Sequence, residues 1–264
     1  MQSVRAKKAL GQHFLKDEHI AERIADTLTQ YNLPVLEVGP GMGVLTQYLF
    51  SRYPMVKLVE LDHESVNYLQ QVYPELGKDL LFGDFLQMDL DTLFPTQPFM
   101  VIGNYPYNIS SQIFFKILDY RDKVYAAAGM LQREVAARLA SGPGSKEYGI
   151  LSVLLQAWYN VEYLFTVDET VFAPPPKVKS GVIRLVRNER KQLDCNEALF
   201  KTVVKTAFNQ RRKTIRNSLK PLLGSAVNDL PAQYLSLRPE QLSVNDFQAL
   251  TSAVETLQKQ AAAL

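Results

Sequence analysis

Apolar positions along the first 187 residues switch repeatedly between two spacings, and the switching predicts strands alternating with helices. Short apolar runs at Pro34-Val-Leu-Glu-Val38, Lys57-Leu-Val-Glu-Leu61, Leu80-Leu-Phe-Gly-Asp84, Phe99 to Gly103 and Val124 to Met130 read as buried strands. Between them, apolar residues three and four apart predict helices. The first runs from Asp17, a candidate N-cap, to about Leu28, with Ile20, Ile24 and Leu28 on one face. Others cover Val44 to Ser51, Glu64 to Val72, Ser110 or Ser111 as a cap through Leu118, and Gln132 to Leu139. Tyr148 to Tyr159 keeps helical spacing, and Val161 to Val167 with Gly181 to Val186 reads as a closing pair of strands. Such alternation predicts an α/β chain with a doubly wound, largely parallel sheet.

After Arg187 the pattern is helical only. Asn196 to Gln210 places Leu199, Val203 or Val204, and Ala207 on one stripe. Ser243-Val-Asn-Asp246 resembles a capping box, with Asp in place of Glu, heading a last helix to about Gln258. The expected organisation is an α/β domain over 1–190 and a small all-α domain over 191–264.

Composition narrows the class. The chain has 264 residues, 47% of them hydrophobic, and no apolar run reaches the ~20 residues that span a bilayer. The basic start, Met1 to Lys16, has no apolar core behind it, so a cytoplasmic location without membrane attachment is expected. Cys195 is the only cysteine, which excludes an intramolecular disulfide and a Cys-rich metal site; no metal is expected. Net charge is +2, but it is segregated. Residues 1–16 hold four basic and no acidic residues, 177–191 hold six basic and one acidic, and 201–220 hold seven basic and none acidic. Those segments carry +16 and the remainder −14, which points to a polyanion-facing surface on an acidic body.

The chemistry concentrates where strands end. Val101-Ile-Gly-Asn-Tyr-Pro-Tyr-Asn108 begins as a strand and breaks at Asn104-Tyr105-Pro106-Tyr107, because proline lacks a donor and pushes its predecessor to extended geometry. An amide and aromatic rings are thereby presented at a carboxyl end, where open α/β sheets bind ligands. Glu37-Val-Gly-Pro-Gly-Met-Gly43 links a strand to a helix but departs from the dinucleotide fingerprint, having Val44 where Gly or Ala is needed. Alone it serves a nucleotide-like ligand or a structural turn equally well. Glu60 lies 19 residues after Gly41, where an acid can hold ribose hydroxyls, and Asp84 follows Gly83, placed to accept from an adenine amino group. Either acid alone fits a solvated loop. Three consecutive strand ends together describe a pocket for an adenosine compound without a pyrophosphate, which S-adenosylmethionine fits better than NAD.

Gln12-His13-Phe14-Leu15, Glu37-Val-Gly-Pro-Gly41, Glu60, Gly83-Asp84 and Asn104-Tyr-Pro-Tyr107 together resemble the ribosomal RNA adenine N6-dimethyltransferases. Phe172-Ala-Pro-Pro-Pro-Lys177 and Ala207-Phe-Asn-Gln-Arg-Arg-Lys-Thr-Ile-Arg-Asn-Ser-Leu219 match two further blocks, the last resembling the branch that modifies the small ribosomal subunit. The resemblance implies a Rossmann-like class I S-adenosylmethionine-dependent methyltransferase domain. It implies that His13, Leu15, Gly39, Gly41, Glu60, Asp84 and Asn104 line the cofactor site. It also implies two methyl transfers to each adenine, with small-subunit ribosomal RNA or the immature subunit as partner of a monomeric chain.

An exocyclic adenine amine is a poor nucleophile, since its lone pair is delocalised into the ring. The useful contribution is to orient it and stabilise positive charge growing on nitrogen. The Asn104 amide oxygen and the carbonyl of Tyr105 or Pro106 can accept hydrogen bonds from it, with no general base. Pro106 holds the turn, and Tyr107 offers a face to the adenine. The resemblance supplies Phe172 as a second aromatic wall, suited to a base splayed from an RNA loop. Many relatives carry Leu or Ile at position 105, so Tyr105 is given no role. Arg211, Arg212, Lys213 and Arg216 are expected on a helical segment, Arg212 and Arg216 one turn apart, neutralising phosphates together with Lys177. Three functions remain open: dimethylation of small-subunit ribosomal RNA, methylation of large-subunit RNA as in macrolide resistance, and RNA binding in ribosome assembly without catalysis.

Overall fold

A computed structural model describes residues 4–263; Met1, Gln2 and Ser3, which open the basic arm, and Leu264 lie outside the described residues. Contacts divide the chain into two compact units, the first reaching Ala137 and resuming at Asn160–Arg187, the second made of Arg138–Tyr159 and the chain from Asn188 onward.

The first unit contains β1 (Phe14–Leu15), α1 (Glu18–Ala25), β2 (Val35–Val38), α2 (Thr46–Leu49), β3 (Val56–Glu60), α3 (His63–Val72) and β4 (Leu80–Phe82). It continues with β5 (Phe99–Asn104), α4 (Ser110–Asp119), β6 (Val124–Gln132), most of α5 (Arg133–Ala140), β7 (Tyr159–Val167), β8 (Phe172–Ala173) and β9 (Ser180–Arg187). One sheet has the order β4-β3-β2-β5-β6-β9-β7. Strands β2 to β6 pair in parallel, and β9 runs antiparallel to β6. Because the chain steps outward from β2 to β4 and then returns to β5, strand order reverses between β2 and β5. A crevice outside their carboxyl ends follows from that reversal. Both strands are buried on both faces, hence their largely apolar sequence; Glu37 in β2 and the half-buried Asn104 that ends β5 are the exceptions.

Local caps agree with the sequence in part. The Asp17 carboxylate accepts the Ile20 N–H at 3.1 Å to start α1, and Asp62 accepts that of Glu64 at 3.2 Å to start α3. Neither Ser110 nor Ser111 caps α4: Ile109 occupies the N-cap, and Ser110 Oγ turns back to donate to Tyr107 O at 3.3 Å. The pairing of β1 with β8 was not predicted, since two-residue strands are too short to show a period.

The second unit contains α6 (Ile150–Gln156), α7 (Glu197–Asn209), α8 (Ile215–Ser218), α9 (Lys220–Leu223), α10 (Ala232–Leu235) and α11 (Val244–Ala262). Ser243 and Asp246 form the expected capping box. The predicted division at 190/191 is corrected: α6, apolar on nearly every side, packs on α7 and α11, which brings Arg138–Tyr159 into the helical unit. A second correction concerns the basic block. Helix α7 ends at Asn209, Arg211–Lys213 lie in turns, and extended Thr214 (ψ 160°) restarts the chain as α8, so Arg212 and Arg216 do not share one helical face.

Candidate active site

Gly39, Gly41 and Gly43 all take left-handed backbone after β2. At Gly41 a Cβ would stand 2.9 Å from the Phe14 ring, so φ +58° and the close approach both require glycine. The turn aims the Gly41 N–H at Glu60, which accepts it through Oε2 at 3.0 Å. Glu60 Oε1 accepts the N–H groups of Leu61 and Asp62 at 2.8 and 2.9 Å. Burial pushes the Glu60 carboxyl above the usual carboxylate range, opposed by these three N–H bonds. Of the roughly four lone-pair sites on a carboxylate, three are taken, which leaves an acceptor for a ligand hydroxyl. Gly83 N–H donates to Glu60 O at 2.9 Å, placing the next residue, Asp84, beside it; Asp84 Oδ1 accepts Leu86 N–H at 2.9 Å.

Asn104 ends β5, where its Nδ2 donates to His13 O at 3.0 Å. That bond sets the orientation of the amide and leaves Oδ1 as the acceptor for a substrate donor. The Tyr105 N–H still joins the ladder, donating to Met130 O at 2.9 Å, after which Pro106 ends it. Pro106 O accepts Ile109 N–H at 3.3 Å and retains its second lone pair. The Tyr105 ring is buried, although the residue also lines the cavity around Asn104. It is 1% exposed, and its hydroxyl donates to Ala128 O at 2.9 Å. Gly129 makes the space, since a Cβ there would lie 2.6 Å from that ring and 2.2 Å from Gly103 O. Tyr105 is thus a wedge beneath the turn.

Tyr107 is half-buried; its hydroxyl shares a short hydrogen bond with Ser180 Oγ, and its ring packs on His13 at 5.3 Å between centroids. His13 Nδ1 lies 2.8 Å from Pro174 O. The structure does not place Phe172 as a second wall. Pairing of β1 with β8 sets it opposite Leu15, and the ring is 1% exposed within the hydrophobic core. Leu15 is itself buried and lines a minor cavity of about 30 Å³ with Gly39, Gly41 and Asn104, rather than a larger one.

The larger of these two cavities, about 140 Å³, is lined by His13, Gly39, Gly41, Glu60, Asp84, Asn104, Pro106 and Tyr107. At ~10–15 Å³ per water-sized probe, that is room for an organic molecule rather than one ion or water. Sequence reasoning missed Leu10, Gly11 and Gln12 of the basic arm, which also line it, and buried Phe85 beside Asp84. Carboxylate acceptors at Glu60 and Asp84, with apolar Leu61, Phe85 and Leu86 between them, fit an adenosine moiety: hydroxyls to one acid, amine to the other, ring against the apolar surface. Among the described residues, no group of His, Cys, Asp and Glu is arranged to hold a metal ion.

Lys177 is exposed in the first unit. In the second, Arg212, Lys213 and Arg216 are exposed and have no acidic partner among the described residues. Arg211 is committed internally: Nη2 donates to Ser145 O at 3.3 Å, and Nε lies 3.9 Å from Glu240. It holds the Ser141–Ser145 loop, which also donates Gly144 N–H to Glu240 O at 2.7 Å.

Known proteins are similar to this chain in sequence and in fold. The family described as ribosomal RNA adenine dimethylase matches residues 3–254. The chain is 64% identical over 263 residues, 99% of its length and 98% of the relative's, to ribosomal RNA small subunit methyltransferase A of Parabacteroides distasonis. It is 62% identical to the protein of that name from Porphyromonas gingivalis, covering 95% of this chain and 98% of that one. A dimethyladenosine transferase from Plasmodium falciparum has the same fold, with a TM-score of 0.76 at 23% identity over 94% of this chain and 98% of that one. The 23S rRNA methyltransferase ErmE is similar at a TM-score of 0.65 and 27% identity, over 92% and 99%. A family match spanning both units, on a fold that brings Glu60, Asp84 and Asn104 around one cavity, makes this chain a member of the ribosomal RNA adenine dimethylase family.

Proposed function

We propose that the chain transfers methyl groups from S-adenosylmethionine to N6 of two adjacent adenosines in a loop near the 3′ end of small-subunit ribosomal RNA. The product is N6,N6-dimethyladenosine, made during small-subunit biogenesis in the cytoplasm, with the enzyme acting as a monomer on the immature subunit. The observation that carries this reading is the Asn104 amide, its Nδ2 held by the His13 carbonyl so that Oδ1 faces the reacting amine as an acceptor.

When bound, the cofactor supplies an electrophilic methyl on a sulfonium. Glu60 and Asp84 would hold its ribose hydroxyls and adenine amine, and the glycine turn admits it closely. Asn104 Oδ1 and the Pro106 carbonyl accept the N6 hydrogens, orient the lone pair and stabilise charge as it grows on nitrogen. The ammonium formed is acidic enough to lose its proton to solvent, so no side-chain base is needed. Tyr107, anchored through Ser180, offers its face to the adenine. Lys177, Arg212, Lys213 and Arg216 supply phosphate contacts, which add affinity without reading sequence.

Likeness to ErmE keeps a large-subunit substrate in view, but the relatives above 60% identity are named for the small subunit. Purified protein with radiolabelled S-adenosylmethionine should label small subunits that lack the modification, and Asn104→Ala should abolish the label. Label found only on large-subunit RNA refutes the substrate. RNA binding without transfer by the unaltered protein would instead mark a non-catalytic assembly factor.

A further inference from the structure

Leu10, Gly11, Gln12, His13 and Phe14 form one wall of the larger cavity, and the contacts that hold them there lie outside the reaction chemistry. Lys7 Nζ is paired with Asp62 Oδ1 and with Glu64 Oε1, the latter at 3.1 Å. Gln12 Nε2 donates to Asp62 Oδ2 at 3.3 Å, while Gln12 Oε1 accepts the Lys7 N–H at 2.8 Å. The Asp62 side chain is 1% exposed, although the Lys7 side chain that meets it is 37% exposed. Asp62 also starts α3, and its N–H donates to Glu60 Oε1. One buried carboxylate therefore joins the basic arm to the loop that carries the cofactor acid.

The arm reaches the reacting centre as well. Its His13 carbonyl is the acceptor that orients Asn104, and Asn108 Nδ2 donates to Ala9 O at 3.4 Å. Gly11 lies so near Asn108 that a Cβ would come within 2.5 Å of its Oδ1. A side-chain amide torsion is broad and roughly two-fold, so the end facing the substrate depends on which partner is held in place.

We propose that Asp62, with Lys7 and Gln12, is a positioning clasp: it holds the arm as the cavity wall and keeps the His13 carbonyl where it presents Asn104 Oδ1 to the amine. The clasp rests on the cofactor and reaction assigned above. It also gives part of the arm's charge an internal use, since Lys7 faces acids of its own chain rather than RNA.

The test is Lys7→Met, with Lys7→Arg as the conservative variant and Asp62→Asn for a double-mutant cycle. S-adenosylmethionine affinity is read by calorimetry at low and high salt, kcat is separated from KM, and hydrogen exchange is followed over Gly11–Leu15 without cofactor. Lys7→Met should weaken cofactor binding roughly three- to tenfold at low salt, with a smaller deficit at high salt where the intact pair is screened. It should also lower kcat and speed exchange in the arm. Lys7→Arg should restore most of each, and Lys7→Met should add little to Asp62→Asn. Unchanged arm exchange together with unchanged cofactor affinity in Lys7→Met overturns the clasp. If the unaltered chain binds no S-adenosylmethionine, the cofactor assignment fails instead, and arm exchange alone decides the clasp.

Discussion

Replacing Glu37 by Gln should leave the protein unchanged below pH 4.5 and stabilise it increasingly as pH rises from there to about 8. Glu37 lies in β2, 1% exposed, with Thr46 Oγ1 donating to its Oε2 at 2.6 Å. Burial, reinforced by nearby Glu60 and only partly opposed by Thr46, pushes its carboxyl up to about 8 from 4.5. Between those values the folded chain keeps a proton that the unfolded chain releases. The stability this group contributes is complete below pH 4.5 and is lost as pH rises through about 8. At ~1.4 kcal/mol per pH unit, the full span sets an upper bound of about 5 kcal/mol by pH 9, and relaxation around the site will return less. Gln accepts the Thr46 hydroxyl with nearly the same shape and cannot ionise. The assay is calorimetric Tm of both proteins from pH 4 to 9, read for the transition of the sheet-containing unit. The curves should coincide near pH 4, diverge steadily in favour of Glu37→Gln between pH 4.5 and about 8, and keep a constant gap above that. Parallel curves across the range would refute the reasoning and mean that Glu37 is already ionised in the native crevice.

Two further outcomes test the aromatic face and the basic block. Ser180→Ala leaves the Tyr107 hydroxyl without its partner and should lower kcat/KM for RNA by about fivefold, equivalent to ~1 kcal/mol. The loss should vanish in a Tyr107→Phe background, whereas an undiminished loss there would assign Ser180 another role. Arg212→Ala with Lys213→Ala should reduce the salt dependence of RNA binding by roughly 0.7 per lost contact, while Arg211→Ala should destabilise the helical unit and leave that slope alone. An equal effect of Arg211→Ala on the slope would return it to the RNA interface.

Much of this architecture was legible in local chemistry. Strand runs, the cap at Asp17 and the Ser243 box depend on residues a few positions apart, and each formed as read. The glycine turn, Glu60 and Asp84 were legible for a related reason. Parallel topology places consecutive strand ends on one side, so acids at those ends must converge. Errors arose where a local pattern competed with distant packing. The basic block looked helical by spacing, yet extended Thr214 divides it. Phe172 was expected by resemblance as a second aromatic wall; in the fold it pairs opposite Leu15 and is buried.

What the sequence by itself determined was therefore the α/β plan, the strand ends at which the pocket forms and the polarity of the strand that delivers Asn104. Those follow from periodicity, turn residues and the rule that parallel strands need crossovers. Tertiary structure alone decided how the site is held. Asn104 is oriented by a carbonyl 91 residues away, Tyr107 by a hydroxyl 73 away, and the arm is locked to Asp62 55 positions from Lys7. Contacts at such separations leave no period in the chain, since any Ser, Asp or backbone carbonyl could have served. Only the folded positions of β1, β8 and β9 around the crevice select which ones do.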